Sequence, residues 1–314
     1  MQGENHRSVI EPAEAVASRQ AAGPVTGAVS SANSPPRSNA EKARRLIDGA
    51  EGPSQCVQVW DAMTAQISEE RGFPMVYLGG AHVARAQFGF GYYNLLTITE
   101  QIEMTSRICD AINIPLIADT GTAGFDTLNT VRHVPLLEKA GAAGVLIEDL
   151  YGAKHLGPGA NGNILSKAAM VDKLKAAVDS RRNSATVIWA RSDVPDRNEM
   201  FERMHAYAEA GADALFPALS RSDISELARV TDKPIVTADP GQMTKEEAKK
   251  VGISIVAIYP LQPVMVSSMA QTLDSLRFGG AVPNPERIVF AASLPGEERD
   301  KWQEAGEKYN VFRY

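Results

Sequence analysis

The stretch EKAGAAGVLIED, residues 138–149, decides the fold, because it joins the end of a helix to a short apolar run that closes on two carboxylates. Gly141 stands where the residue after a helix commonly adopts a left-handed backbone. The apolar run does not alternate with polar residues, as expected of a strand buried on both faces. The stretch YAEAGADALF, residues 207–216, repeats this arrangement around Gly211. Repeated helix–strand units of this kind predict an α/β fold with a parallel sheet.

Outward from this stretch, eight short apolar runs are predicted as strands. They cover residues 56–61, 75–80, 114–120, 144–149, 186–192, 214–218, 234–239 and 253–260. A helical segment follows each run, after a loop in the case of the second and fourth, and Thr244 with Glu247 forms a capping-box pattern. Eight such units favour a closed TIM-type (β/α)8 barrel. An open doubly wound sheet is the alternative, although the first strand–helix turn has no G-x-G-x-x-G pattern.

The composition excludes several classes of protein. The chain has 314 residues, of which 44% are hydrophobic, a formal net charge of −6 and only two cysteines. No apolar run approaches 18 residues and no basic block occurs, so neither a membrane span nor a nucleic-acid surface is expected. Two cysteines exclude a disulfide scaffold and fit a reducing compartment. We therefore expect a cytoplasmic protein.

The two ends of the chain differ from its centre. Residues 1–38 are rich in Ala, Ser, Gly and Pro without periodicity, which predicts a disordered N-terminal tail. Residues 39–278 are predicted to form the barrel domain. Residues 279–314 contain the helical pattern ERDKWQEAGEKY at 298–309 and are predicted to be a C-terminal extension that serves oligomer contacts.

Polar residues and glycines end most of the predicted strands. They are Asp61, Gly79, Gly80, Asp119, Glu148, Asp149, Arg191, Asp193 and Asp239. In a barrel these positions share one mouth, where several carboxylates are costly unless a cation such as Mg²⁺ lies among them. Arg191 offers a planar fork for a substrate carboxylate. Together these groups predict a site for a small anionic substrate.

Structural roles are the alternative for four of these carboxylates. Asp61, Asp193 and Asp239 stand at loop or helix starts, where aspartate commonly caps a helix. Asp149 follows Glu148 directly and has the alternative of a structural ion pair. The sequence leaves both interpretations open.

Several segments, in this order along the chain, resemble the isocitrate lyase/phosphoenolpyruvate mutase superfamily. They are VWDAMTAQISEERGFPMVYLGGAHVA, LLTITE, IPLIADTG, EKAGAAGVLIED, AK, WARSD and YAEAGADALF. The resemblance implies a (β/α)8 barrel and chemistry through a pyruvate-like enolate. It also implies roles for individual residues: substrate binding by Asp61, Gly79, Gly80, Ala81 and Arg191, a Mg²⁺ (or Mn²⁺) site at Asp119 and Glu148, and catalytic roles for Lys154 on a gating loop and for Arg191.

The chain also departs from the pattern of that superfamily. In an ungapped alignment Gly121 stands in place of the second Asp after strand three, whereas in a shifted alignment Asp119 matches that second Asp and the first is lost. Tyr92 replaces another acidic residue. His155 lies where the lyases carry a cysteine proton donor, so His155 and Tyr92 become candidate catalytic residues, with His82 and Tyr93 as further acid–base candidates.

The resemblance implies a carbon–carbon lyase for a small 2-hydroxy- or 2-oxocarboxylate, similar to methylisocitrate lyase or oxaloacetate decarboxylase. A homo-oligomer, dimer or tetramer, is expected. The alternatives are a phosphonopyruvate mutase or hydrolase and a non-catalytic barrel that binds a small acid.

Overall fold

The computed structural model describes residues 38–49, 52–91, 95–120, 126–152, 163–239, 241–277, 279, 304–305 and 307–309. Four candidate catalytic or acid–base residues, Tyr92, Tyr93, Lys154 and His155, lie outside these ranges. Almost all of the predicted N-terminal tail and most of the predicted C-terminal extension lie outside them as well. Among the described helices, none combines the length and apolar character that crossing a bilayer requires.

Eight parallel strands form a nearly closed barrel in chain order. They are β1 (Ser54–Val59), β2 (Met75–Leu78), β3 (Leu116–Asp119), β4 (Gly144–Glu148), β5 (Val187–Ser192), β6 (Ala214–Pro217), β7 (Val236–Asp239) and β8 (Ile255–Ile258). Strand β1 pairs with both β2 and β8, and a parallel bridge between Leu215 and Ile235 links β6 to the β7 side. The predicted TIM-type barrel is confirmed, and the open-sheet alternative is wrong.

Ten helices surround these strands in the described residues. They are α1 (Asn39–Ile47), α2 (Ala62–Glu70), α3 (Gly80–Phe88), α4 (Ile98–Ala111), α5 (Thr127–Lys139), α6 (Lys167–Ser180), α7 (Arg197–Glu209), α8 (Arg221–Val230), α9 (Lys245–Val251) and α10 (Leu261–Arg277). The predicted capping box at Thr244 and Glu247 is present, and Gly141 and Gly211 have positive φ. The prediction of a loop directly after the second strand is wrong, because α3 begins at Gly80; its N-cap, Gly79, has no side chain with which to mark the start.

Side chains of each strand alternate between the barrel interior and the helical layer. On β4, Leu146 packs in the interior cluster with Tyr77 and Trp189, whereas Val145 and Ile147 pack in the cluster that includes helix residues. This period of two directs neighbouring residues to opposite sides of the barrel wall. The alternation decides which strand-end residues can meet at the mouth.

Candidate active site

Arg191, at the end of β5, is held by two carboxylates. Its Nη1 lies 3.3 Å from Oε1 of Glu148, the residue paired with it on β4. Its Nε and Nη2 each donate a 3.0 Å hydrogen bond to the carboxylate of Asp193. Glu148 is almost completely buried, whereas about a quarter of the Arg191 side chain is exposed. The guanidinium is therefore anchored from the inside and still reaches the open mouth.

An aromatic ring also fixes the plane of this guanidinium. The Arg191 Cζ lies 5.1 Å from the centroid of the Phe216 ring on β6. A guanidinium stacks well on an aromatic face, and its planar fork keeps a fixed direction for the donors that remain. The arrangement presents a preorganised positive group to an anion at the mouth.

Asp119 lies against the glycine turn that follows β2. The backbone N–H of Gly80 donates to Oδ2 of Asp119 at 3.4 Å, at the first turn of α3. A helix N-terminus favours negative charge, so the same turn suits a carboxylate. The structure thus brings Asp119 together with Gly79, Gly80 and Ala81, the predicted carboxylate-binding segment.

Tyr77 forms part of the floor beneath these groups and was missed by the sequence analysis. Burial raises the pKa of its hydroxyl, and the negative charges of Asp119 and Glu148 raise it further, while Arg191 lowers it. Tyr77 packs in the interior cluster with Leu146, Trp189 and Phe216, on the same side of the barrel wall as the three charged residues. The sequence signal that could have identified Tyr77 is its position two residues before Gly79, because strand alternation directs the Tyr77 side chain into the barrel.

Asp61 has the capping role that was its structural alternative, whereas Asp239 binds the backbone of the loop after β7 and the N-cap of α9 is Thr244. Oδ1 of Asp61 accepts from the backbone N–H of Thr64 and caps α2. Oδ1 of Asp239 accepts from three successive backbone N–H groups, those of residues 241–243, and its Oδ2 lies 3.5 Å from Arg221. The structure does not test a role of Asp61 in substrate binding, which stays a prediction.

Asp149 belongs to the helical layer, as its structural alternative predicted. Its Oδ2 accepts hydrogen bonds from Nη1 of Arg203 at 3.1 Å and from the hydroxyl of Tyr207 at 2.8 Å, both on α7. Burial raises the pKa of the Asp149 carboxyl, and its hydrogen bonds with Ser192 and Tyr207 and the Arg203 charge oppose the rise. Asp149 is fully buried against α7 and faces away from the mouth.

His82, a candidate acid, is poorly suited to that role. It lies in α3 with its ring stacked on Trp60 at a centroid distance of 6.1 Å. Burial lowers the pKa of His82 to about 4. An imidazole with this pKa is neutral at pH 7, so it has no proton ready for a carbanion.

Two carboxylates at the mouth, those of Asp119 and Glu148, could bind a divalent cation. Across the described ranges, no three His, Cys, Asp or Glu side chains come together as a metal site. Asp119 and Glu148 end adjacent paired strands and are both buried. Mg²⁺ commonly takes one or two carboxylates and completes its shell with water and substrate oxygens. The two residues fit an ion that the substrate helps to bind.

The comparisons with known proteins agree with this geometry. The profile of the phosphoenolpyruvate phosphomutase family matches residues 44–277. The 2-methylisocitrate lyase of Salmonella typhimurium is 35% identical over 232 residues, 70% of this chain and 78% of that enzyme. The oxaloacetate decarboxylase of Rhodopseudomonas palustris strain BisB5 is 31% identical over 262 residues, 80% of this chain and 88% of that enzyme.

Two further comparisons differ in how much they cover. The 2-methylisocitrate lyase of Escherichia coli is 38% identical over 180 residues, which are 56% of this chain and only 61% of the length of that enzyme. The structure of oxaloacetate acetylhydrolase with the inhibitor 3,3-difluorooxalacetate superposes with a TM-score of 0.77 at 25% identity, covering 87% of this chain and 97% of the other. These relatives are enzymes named for small carboxylates, the substrate class that the sequence predicted. The chain belongs to the phosphoenolpyruvate phosphomutase family, within the isocitrate lyase/phosphoenolpyruvate mutase superfamily.

Proposed function

We propose that this chain cleaves a carbon–carbon bond of a small 2-hydroxy- or 2-oxocarboxylate through a pyruvate-like enolate. The observation that carries the proposal is the fixed Arg191 guanidinium, held by Glu148, Asp193 and Phe216 at the barrel mouth. A preorganised donor of this kind stabilises charge that develops on an oxygen during the reaction. The relatives named for methylisocitrate, 2,3-dimethylmalate and oxaloacetate support this substrate class.

The groups at the mouth divide the work between binding and charge stabilisation. The substrate carboxylate binds at the first turn of α3, where Gly79 is the N-cap and Gly80 and Ala81 are partly exposed at a helix N-terminus. Arg191 stabilises the negative charge on the oxygen beside the substrate carboxylate, which is the alkoxide of a 2-hydroxy substrate after the base has taken its proton, or the pyruvate enolate that a 2-oxo substrate leaves when it loses CO2. Asp119 and Glu148 would hold Mg²⁺ or Mn²⁺. When bound, such an ion supplies Lewis-acid stabilisation of the same oxygens.

The segment after β4 is proposed to act as a gating loop. Its two ends are fixed to each other: the N–H of Tyr151 donates to the carbonyl of Asn163 at 2.9 Å, and that of Leu165 donates to the carbonyl of Asp149 at 2.8 Å. The chain thus leaves and re-enters beside Glu148. This stem supports the proposal that Lys154 and His155, which lie between the two ends, close over the substrate and that His155 protonates the departing carbanion. Tyr92 stays the proposed base.

The proton-donor role predicts a specific kinetic result. In His155→Gln we expect kcat to fall far more than substrate affinity, and one limb of the pH–rate profile to disappear, because glutamine cannot deliver a proton. Steady-state kinetics between pH 5 and 9 measure both. His205→Gln, an exposed histidine on α7, is the control. An unchanged profile in His155→Gln would leave the loop as a lid without an acid.

The C-terminal helix supports a proposal of self-association. Helix α10 buries only Gln262 and exposes the apolar residues Val264, Met265, Val266, Met269, Leu273 and Leu276. Exposed apolar side chains grouped on one helix indicate an interaction surface. We propose that it pairs with a second copy of the chain in a homodimer or homotetramer, and a monomer in sedimentation velocity would contradict this.

The proposed activity has a common readout. Cleavage of 2-methylisocitrate or 2,3-dimethylmalate and decarboxylation of oxaloacetate each leave pyruvate, which a coupled assay detects. We expect turnover of at least one substrate, dependent on Mg²⁺ or Mn²⁺. We also expect calorimetry to show tighter metal binding when oxalate, a mimic of the pyruvate enolate, is present, because the chain alone offers two carboxylates.

A variant at Asp119 tests whether the proposed activity requires a metal ion. Asp119→Asn should weaken the binding of Mg²⁺ or Mn²⁺ while the fold is retained, since asparagine keeps the shape of the side chain and removes its charge. Full activity in excess chelator would make the chemistry metal-free. A protein that neither turns over these substrates nor binds oxalate would be a non-catalytic barrel.

A further inference from the structure

Gln58 places a buried amide inside the barrel, at the level of the mouth. On β1 its neighbours Val57 and Val59 pack outward in the cluster with Val83 and Ile108, so alternation directs Gln58 into the interior. It pairs with Tyr77 of β2 and is only 6% exposed.

The Gln58 amide lies directly against the glycine turn. A Cβ atom on Gly79 would overlap the amide nitrogen and stand 2.6 Å from Cδ of Gln58. Gln58 thus fills the space that any side chain at Gly79 would need. The next residue, Gly80, donates its N–H to Asp119. The amide is therefore built into the wall of the proposed carboxylate-binding segment.

The Gln58 carbonyl has an unused hydrogen-bonding capacity. Its Oε1 is buried and has no hydrogen-bond partner within the part of the chain that the structure describes. A buried acceptor without a donor costs free energy, and one that faces a binding site can take its partner from a ligand. The groups proposed to bind an anion at the mouth, Arg191 and the first turn of α3, are hydrogen-bond donors. An acceptor among them favours a ligand that also carries a donor.

We propose that Gln58 is a positioning and specificity-determining residue that accepts a hydrogen bond from the hydroxyl of a 2-hydroxycarboxylate. The inference deepens the proposed function and rests on it for the substrate class. It implies a preference for substrates with a hydroxyl beside the carboxylate over oxaloacetate in its keto form, which has no such donor. A site built to bond a substrate hydroxyl discriminates against analogues that lack one, because its own polar group is then left unpaired.

The test compares ligands with and without the hydroxyl. In Gln58→Leu we expect KM for 2,3-dimethylmalate and Kd for malate to rise about tenfold or more, the loss of roughly one hydrogen bond. The affinity for oxalate, which has no hydroxyl, should change much less. Gln58→Glu keeps an acceptor and should retain the ratio of malate to oxalate affinity, even though its charge weakens both.

Gln101→Leu is the matched control. Gln101 is also 6% exposed with an unpartnered Oε1, but it lies on α4 in the helical layer. The Gln101→Leu variant should bind malate and oxalate as tightly as the wild type. Equal loss of malate and oxalate binding in Gln58→Leu, or unchanged binding of both, would overturn the inference.

The same measurements separate this inference from the proposed function. A wild-type protein that binds malate and oxalate without lyase turnover would contradict the function, and the affinity ratio would still decide the role of Gln58. A wild type that binds neither would overturn both.

Discussion

Replacing Arg191 with lysine is expected to lower kcat/KM by about 10²–10³-fold while the barrel stays folded. The reason is the way the guanidinium is held: Asp193 takes two of its donors, Glu148 faces a third, and Phe216 fixes its plane. Lysine keeps the charge but has neither the fork nor the stacking face, so it cannot satisfy both carboxylates and an enolate oxygen from one position. Steady-state kinetics with the best pyruvate-forming substrate measure the loss.

Arg197→Lys is the matched control for this result. Arg197 also pairs with two carboxylates, Asp223 and Glu226, and its Cζ lies 4.5 Å from the Phe201 ring. It stands at the start of α7, outside the strand ends that form the mouth, so its replacement should leave kcat/KM unchanged. Wild-type turnover in Arg191→Lys would remove Arg191 from the mechanism, and equal losses in both variants would indicate a general effect of arginine loss.

The strand–helix order and the position of the mouth could be predicted because they depend on local patterns. Buried parallel strands read as short apolar runs, and glycines after helices mark where each unit turns. The residues that end these runs therefore identified Asp119, Glu148 and Arg191 as neighbours. The helix α3 escaped prediction because its first two positions are glycines without a capping side chain.

The partners of each polar group could not be predicted, since they depend on three-dimensional contacts. The sequence pattern of an Asp at a strand end is the same whether the Asp caps a helix, as Asp61 does, or contacts the glycine turn, as Asp119 does. Gln58 and Tyr77 lie within apolar runs, and only the closed barrel shows that they face its interior near the charged residues.

The adjacent carboxylates Glu148 and Asp149 show most clearly how residues with the same sequence signal differ in their partners. We expect opposite results when each is replaced. In Asp149→Ala we expect the free energy of unfolding to fall by about 3–5 kcal/mol, because removing one partner leaves the buried Arg203 charge and the Tyr207 hydroxyl without their inner acceptor. In Glu148→Gln we expect activity to be lost with little change in stability, since the side chain keeps its shape. Denaturant unfolding and pyruvate release, measured on both variants, separate the two roles.

Glu199→Ala is the control for the stability effect, because Glu199 binds the same arginine from the solvent side. Its side chain is 45% exposed and its bond to Arg203 Nη2 is 2.7 Å long. An exposed pair of this kind contributes about 0–1 kcal/mol, so this variant should unfold close to the wild type. If Asp149→Ala proved as stable as Glu199→Ala but inactive, then Asp149 would act on the chemistry and not on the packing of α7 against the barrel. If Asp149→Ala unfolds at a lower denaturant concentration than the wild type while Glu148→Gln stays folded and inactive, then Asp149 stabilises the fold and its neighbour Glu148 serves the site.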